Sequence, residues 1–150
     1  MVGPDGRPRG SVVIPAWNEA AVISRTLHAL YDGIDASALE TVVACNGCTD
    51  DTAQVAERTG LPVQVLDLPP VGKVGAIRAA EQAVESLPRL YLDADTVLPG
   101  HSALAVLDAL TDGAIAARPP LHYDTAGSSW PVRRFYRVRE SLPSVMRDLC

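Results

Sequence analysis

Residues 11–19 read SVVIPAWNE, a short apolar run rich in β-branched side chains that ends abruptly in polar residues. Residues 11–16 predict a strand that is buried on both faces of a parallel sheet. Apolar side chains at helical spacing follow it and predict an amphipathic helix. They are Val22, Ile23, Leu27 and Leu30. We expect Asn18 to cap the start of this helix and Gly33 to end it.

The same alternation of strand and helix patterns continues along the chain. Four more strand-like runs occur, at residues 41–45, 63–68, 89–95 and 114–118. Helical patterns separate them, at residues 51–59, 74–87 and 102–110. Strands that alternate with helices of this length predict an α/β fold with a doubly wound, mostly parallel sheet and flanking helices. In such a sheet the ligand site lies at the carboxyl ends of the strands.

Composition limits the classes of function that this chain can have. Its 150 residues include 13 Lys and Arg against 18 Asp and Glu, for a net charge of −5. This length fits one domain, and the acidic balance makes nucleic acid an unexpected partner. Three cysteines are too few for a disulfide scaffold. No apolar run reaches the roughly 18 residues that span a bilayer, and we expect a cytoplasmic protein.

Polar residues follow each of the first four strand-like runs. The segments are AWNE (16–19), NGCTDD (46–51), PPVGK (69–73) and DAD (93–95). Because the carboxyl ends of parallel strands meet at one edge of a sheet, we expect these segments to surround a single site. The Gly-Lys pair at 72–73 is not a Walker loop, since Asp67 and Val74 stand where that motif needs Gly and Ser or Thr.

The two carboxylates of the DAD segment are candidate metal ligands. Asp93 and Asp95 are two residues apart, so in a strand their side chains point to the same face. Two adjacent carboxylates favour a hard divalent cation, Mg²⁺ or Mn²⁺, which keeps open positions for phosphate oxygens. The alternative is that both are solvated residues at a strand end, with Asp95 or Thr96 capping a turn.

Other side chains at this edge suit a nucleotide. Trp17 can stack on a base, and the amide of Asn46 can both donate to and accept from a base edge. Lys73 and Arg78 can contact phosphate. Each has a simpler interpretation, as a half-buried aromatic, a turn residue or a solvated helix face. The CxxC at 45–48 is interpreted as a buried strand cysteine followed by a turn cysteine.

Taken in order, SVVIPAWNE, VVACNGCTDDT, VGKVGAIRAA and YLDAD resemble the motifs of family 2 glycosyltransferases, which are nucleotide-sugar-dependent enzymes of the GT-A fold. The resemblance covers residues 11–100. It implies that Trp17 stacks on the base and that Asn46 takes the place of the base-reading Asp of the family. It also implies that Asp95 ligates the metal, with Asp93 near the ribose or the metal. The implied nucleotide-sugar-binding residues are Pro15, Ala16, Trp17, Glu19, Asn46, Lys73, Arg78 and Asp93.

The resemblance implies transfer of a sugar from a UDP- or GDP-sugar to an unknown sugar, lipid or small-molecule acceptor, with inversion and with Mg²⁺ or Mn²⁺. In the family the general base lies well past the DxD motif. Here the late carboxylates are Asp124, Glu140 and Asp148, none in a family-like motif, so no catalytic residue is identified. The alternatives are a sugar-phosphate nucleotidyltransferase and a nucleotide-binding module without catalysis.

Three segments are expected along the chain. Residues 1–10 are predicted to be a flexible tail, and residues 11–122 the nucleotide-sugar-binding α/β domain. Residues 123–150 are predicted to be an Arg-rich helical or irregular extension, the start of an acceptor-binding part that the chain lacks. Pro131 opens a helix there and Pro143 breaks it. Peripheral membrane contact through this extension and self-association through exposed apolar surface are further expectations.

Overall fold

The computed structural model describes residues 6–120, 122 and 124–141, with the backbone alone described for 136–141. The strands are β1 (Ser11–Ala16), β2 (Glu40–Asn46), β3 (Val63–Leu68) and β4 (Arg89–Tyr91). The helices are α1 (Ile23–Tyr31), α2 (Thr52–Arg58), α3 (Gly72–Gln82), α4 (Gly100–Thr111) and α5 (Trp130–Ser141), and a 3₁₀ turn occupies Ala36–Ala38. The chain divides into two compact units, Met1–Ala117 and Arg118–Cys150, and α5 lies in the second.

The four strands form one sheet in the order β3-β2-β1-β4, and every pair is parallel. From β1 the chain builds outward through β2 to β3 and then returns to place β4 on the other side of β1. This reversal confirms the predicted doubly wound α/β fold. It also creates a switch point beside β1, where the loops that leave β1 and β4 separate and open a crevice at the carboxyl ends of the strands.

The sheet is buried on both faces, which explains why β1 and β2 read as continuous apolar runs. Val12 and Ile14 point into a large core that includes residues of α1, α2 and α4. Val13 lies between these two residues and points into a smaller core with Ala76 and Ala80 of α3. These three β1 side chains are fully buried, and each contributes roughly 1.5–3 kcal/mol relative to exposure. Helices on both faces hold the site-bearing loops at one edge.

Two strand predictions are wrong. The fourth strand ends at Tyr91 instead of residue 95, because the chain turns after Leu92. No strand forms at 114–118 within the described residues, and Ile115 is fully exposed there. Three of its five residues are alanine, which is depleted in strands, so its apolar composition alone does not make this run a strand.

The third helix also differs from its prediction, since it begins at Gly72 and ends at Gln82. Val74 and Leu87 are the two ends of the helical pattern predicted at 74–87, but both are exposed. The buried face consists of Ala76 and Ala80, whose small side chains let the helix approach the sheet closely. Beyond the helix, Leu87 precedes Pro88, which disfavours the helical conformation for the residue before it.

The second unit, Arg118–Cys150, contains helix α5. Its helix α5 begins at Trp130, one residue before the Pro131 that was expected to open it, and Pro143 lies outside the described residues. Among the described helices, none combines the length and the apolar character needed to cross a bilayer. The predicted three-part division of the chain stays a prediction.

Candidate functional site

A cleft of about 460 Å³ opens at the carboxyl ends of the strands, beside the switch point. Its lining residues are Pro15, Ala16, Trp17, Glu19, Asn46, Lys73, Asp93, Ala94 and Asp95. The structure therefore brings together the residues that the sequence placed in the site, with one exception. Arg78 lies on the exposed surface of α3 and does not line the cleft, and its role stays a prediction.

The turn after β1 exposes Trp17 to the cleft, where its side chain is 64% accessible to solvent. Asn18 follows in the left-handed conformation, with φ of 55°. Its side-chain oxygen accepts a hydrogen bond from the backbone N–H of Thr49, at 2.8 Å. The prediction of Asn18 as a helix cap is therefore wrong: α1 begins only at Ile23, and no side chain caps it. Asn tolerates positive φ, so it can turn the chain and join the loops after β1 and β2.

Three more hydrogen bonds join these two loops. The Cys48 thiol donates to the Ala16 carbonyl and accepts from the Asn18 N–H, at 3.7 and 3.4 Å. The N–H of Glu19 donates to the Thr52 hydroxyl at 2.8 Å. Cys48 thus contacts the backbone on both sides of Trp17 and supports the turn that presents the indole.

Asp50 adds a charged link between the same loops. Its carboxylate accepts hydrogen bonds from the Ala20 N–H and from the hydroxyl and N–H of Thr52 at the start of α2. The Thr52 hydroxyl lowers the pKa of Asp50; partial burial opposes this effect, and the N–H bonds reinforce it. Asp50 therefore caps α2 with its side chain, whereas Asp51 makes no side-chain cap bond.

The loop after β3 is joined to the end of β2. The side-chain oxygen of Asn46 accepts a hydrogen bond from the Val71 N–H at 2.8 Å, and the Gly47 N–H donates to the Leu68 carbonyl at 2.8 Å. Gly47 has φ of 60°, and a Cβ there would lie 2.8 Å from the Pro70 Cβ. A side chain at this position would therefore push the two loops apart.

The carboxylates of Asp93 and Asp95 both line the cleft, but not for the reason that the sequence suggested. They lie beyond β4, in a turn in which the Thr96 N–H donates to the Asp93 carbonyl at 3.0 Å. Ala94 between them is buried, and its carbonyl accepts a hydrogen bond from the Thr26 hydroxyl of α1 at 2.8 Å. Because Ala94 is held inward, both acids are exposed on the cleft side.

An ion pair crosses the cleft, and it was not predicted from the sequence. The Lys73 ammonium donates to an oxygen of Asp93, with an Nζ–Oδ1 distance of 2.6 Å. The residues lie 20 positions apart on different elements, so no local pattern could have revealed the contact. The contacts of Thr26 and Cys48 were not predicted for the same reason: Thr26 of α1 meets the turn after β4, and Cys48 meets the turn after β1.

The charges that line the cleft are unbalanced. Among the described lining residues, Glu19, Asp93 and Asp95 contribute three carboxylates and Lys73 contributes one ammonium. Partial burial raises the pKa of Glu19, and the carboxylates of Asp95, Asp50 and Asp93 raise it further. A diphosphate entering such a cleft is repelled unless additional positive charge enters with it.

This donor set fits a hard divalent cation. The described residues contain no group of three His, Cys, Asp or Glu side chains that could hold a metal by themselves. Two adjacent carboxylates nevertheless suit Mg²⁺ or Mn²⁺, which usually bind one or two protein carboxylates and take the remaining oxygens from water and phosphate. Asp95 makes no hydrogen bond to another described side chain, so both of its oxygens are available.

The CxxC segment takes no part in this donor set. Cys45 is fully buried in β2, and desolvation raises the pKa of its thiol to about 12. Such a thiol is almost entirely protonated at neutral pH and is a poor metal ligand and nucleophile. The structure agrees with a buried strand cysteine followed by a turn cysteine.

The comparisons with known proteins point to glycosyltransferases. The Glycosyl transferase family 2 sequence model matches residues 11–149. A curated relative, glycosyltransferase AglD of Haloferax volcanii, is 28% identical over 129 residues, which are 80% of this chain and 19% of the relative. The chain therefore spans about a fifth of the length of that relative.

Solved structures with the same fold also resemble this chain. The mannosyltransferase PcManGT from Pyrobaculum calidifontis, in complex with GDP-Man and Mn²⁺, has a TM-score of 0.65 at 27% identity, covering 75% of this chain and 35% of its own. Glucosyl-3-phosphoglycerate synthase from Mycobacterium tuberculosis, in complex with Mn²⁺, UDP and glucosyl-3-phosphoglycerate, has a TM-score of 0.57 at 26% identity, covering 71% of this chain and 40% of its own. These likenesses agree with the GT-A fold that the sequence motifs implied.

Proposed function

The chain belongs to glycosyl transferase family 2, and on this premise we propose that it holds the nucleotide-sugar donor of a glycosyltransferase. The donor is a UDP- or GDP-sugar, and the reaction transfers its sugar to an acceptor hydroxyl. The observation that carries the proposal is the single cleft that combines an exposed indole, a lysine ammonium and two adjacent carboxylates. Two structural relatives bind such a donor or its nucleotide: one binds GDP-Man and the other binds UDP, each together with Mn²⁺.

The base of the donor is assigned to the β1–β2 side of the cleft. The exposed indole of Trp17 offers a flat apolar surface on which a base can stack, an interaction worth about 1–3 kcal/mol. Asn46 lies in the same lining and offers an amide to the edge of the base. Its oxygen already accepts from Val71, so its NH₂ group is the part that remains for the ligand.

The diphosphate is assigned to the side of Lys73, Asp93 and Asp95. The Lys73 ammonium is the cation that the described cleft lining supplies to phosphate oxygens. Asp95, with Asp93, would hold the divalent cation. When bound, Mg²⁺ or Mn²⁺ acts as a Lewis acid that stabilises the charge developing on the leaving diphosphate.

The acceptor side of the reaction is proposed from the family alone. An inverting transfer needs a general base to deprotonate the acceptor hydroxyl. Of the three late carboxylates, Asp124 accepts a hydrogen bond from the Ala126 N–H within its own turn. The Glu140 side chain and Asp148 lie outside the described residues. Peripheral membrane contact, self-association and the cytoplasmic location stay predictions.

Replacing Asp95 tests the proposal most directly. We expect wild-type chain to bind UDP or GDP more tightly with Mn²⁺ than with EDTA, as measured by calorimetry. Asp95→Ala should weaken the Mn²⁺-dependent binding by at least about 10-fold. Loss of a residue that only hydrogen-bonds to a metal ligand already costs about 10–100-fold in metal affinity, and Asp95 is proposed to bind the metal directly.

The matched control is Asp112→Ala, which removes an exposed acid after α4 that does not line the cleft. This variant should bind both nucleotides as the wild type does. Equal Mn²⁺-dependent affinity in wild type and Asp95→Ala would contradict the assignment of the metal to this turn.

A further inference from the structure

Lys73 and Asp93 form the closest charged contact in the cleft, and this contact links the two halves of the proposed phosphate site. Lys73 is the second residue of α3, and Asp93 lies in the turn after β4. Their side chains are 65% and 62% exposed, although the Nζ–Oδ1 distance is only 2.6 Å. The pair is therefore well aligned, but no surrounding structure buries it.

The Lys73 ammonium and a divalent cation cannot share Asp93 without cost. The ammonium already occupies Oδ1 of the carboxylate. A cation bound by the same carboxylate would lie within a few ångströms of the ammonium, where like charges repel. Binding of a metal by Asp93 is therefore opposed as long as Lys73 remains paired with it.

A diphosphate offers Lys73 a second partner. The ammonium sits at the end of a flexible four-carbon side chain, so it can turn from Asp93 toward phosphate oxygens in the same cleft. Exposed ion pairs contribute little to stability, so this exchange costs little. When Lys73 pairs with phosphate, both oxygens of Asp93 become available.

We propose that Lys73 competes with the divalent cation for Asp93, so that the free chain binds the metal weakly and the metal enters together with the donor diphosphate. The inference rests on the proposed function and adds how the binding of the metal and the binding of the donor depend on each other. Lys73 is then a positioning residue for the metal as well as a phosphate contact. Each ligand removes an obstacle to the other, which makes their binding mutually favourable.

Mn²⁺ binding without nucleotide tests the competition, because it needs no turnover. The bound fraction is measured from the electron paramagnetic resonance signal of free Mn²⁺ during titration of the chain. Lys73→Gln should bind Mn²⁺ several-fold more tightly than wild type, since its amide neither occupies the carboxylate as strongly nor repels the ion. Lys73→Arg keeps the charge and should retain the weak affinity.

The matched control is Arg58→Gln, which removes a cation from the last turn of α2, outside the cleft lining. Its Mn²⁺ affinity should stay within about twofold of wild type, as expected for an exposed charge screened by salt. In a second measurement, binding of UDP and GDP in EDTA should weaken several-fold in Lys73→Gln, because the phosphates lose their ammonium.

The outcomes separate this inference from the proposed function. Unchanged or weaker Mn²⁺ binding by Lys73→Gln overturns the competition, even if Mn²⁺-dependent nucleotide binding in the wild type is normal. Unchanged nucleotide affinity in EDTA overturns the exchange of Lys73 onto phosphate. Absence of Mn²⁺ binding by every variant, with and without nucleotide, overturns the metal-dependent function itself.

Discussion

The two ends of the cleft are built in different ways. At one end, the loops after β1, β2 and β3 are joined by hydrogen bonds between elements far apart in the chain, including those of Asn18 with Thr49 and Asn46 with Val71. At the other end, the turn after β4 presents two exposed carboxylates. There the cross-cleft partner is a single exposed ammonium, that of Lys73.

This difference indicates that the protein preforms one end and leaves the other for the ligand to complete. Each cross-loop hydrogen bond contributes about 0.5–1.5 kcal/mol to stability, so together they hold Trp17 in place before any ligand binds. An exposed ion pair contributes about 0–1 kcal/mol and leaves its carboxylates free to change partners. A rigid surface suits a stacked base, and adaptable charges suit a diphosphate with its cation.

The largest expected effect on stability is at Gly47. Gly47→Ala should lower the free energy of unfolding by about 2–4 kcal/mol, because Ala must adopt positive φ and its Cβ meets the backbone of Pro70. Urea denaturation followed by circular dichroism measures this loss.

Gly33→Ala is the matched control for Gly47→Ala. Gly33 has a similar φ of 70°, but a Cβ there would meet no atom within 4 Å. Only the backbone strain remains, so a loss of about 1 kcal/mol is expected. Equal losses in the two variants would show that the contact between the β2 and β3 loops is not held tightly.

A smaller effect is expected at Asn18, which joins the β1 and β2 loops. Asn18→Ala should cost about 1–2 kcal/mol of unfolding free energy, because it loses the bond from Thr49 and places Ala at positive φ. Asn18→Gly loses the bond without the strain and should cost about 0.5–1 kcal/mol. The same denaturation measurement compares them, and a Gly variant less stable than the Ala variant would refute the role of the left-handed turn.

The smallest effect on stability is expected at Asp93, in the adaptable end. Asp93→Ala removes an exposed ion pair and one of three neighbouring carboxylates, so the free energy of unfolding should change by less than about 0.5 kcal/mol. The same variant should weaken Mn²⁺-dependent binding of UDP or GDP. A loss of stability as large as that of Gly47→Ala would contradict the claim that one end of the cleft is rigid and the other adaptable.

Much of the fold could be predicted because the apolar runs in the sequence agree with the places that the strands occupy in the sheet. β1 has the bounds that its apolar run predicted, since a strand buried in a parallel sheet needs such a run. β3, an edge strand whose residues are partly buried or exposed, also has its predicted bounds. Residues 114–118 carry an equally apolar run without becoming a strand. What differs is the residue type: residues 114–118 are mostly alanine, which is depleted in strands, whereas β1 is rich in Val and Ile.

The site was predicted as a set of residues, but its internal contacts were not. Asp93 and Asp95 were assigned to one face by strand periodicity, whereas a turn with buried Ala94 between them brings them together. Asn18 was assigned to a helix start, whereas it accepts a bond from a loop 31 residues away. In both cases a local rule was applied to a position governed by a distant partner.

By itself, the sequence determined the alternation of strands and helices, the edge of the sheet at which polar residues collect, and the family to which the chain belongs. These follow from periodicity and from residue types at short spacing, which local physics constrains. Only the tertiary structure decided that the loops after β1, β2 and β3 are joined, that Trp17 is exposed in the cleft, and that Lys73 contacts Asp93. Those contacts depend on the order and twist of the parallel strands, which bring together residues that are 20 or more positions apart.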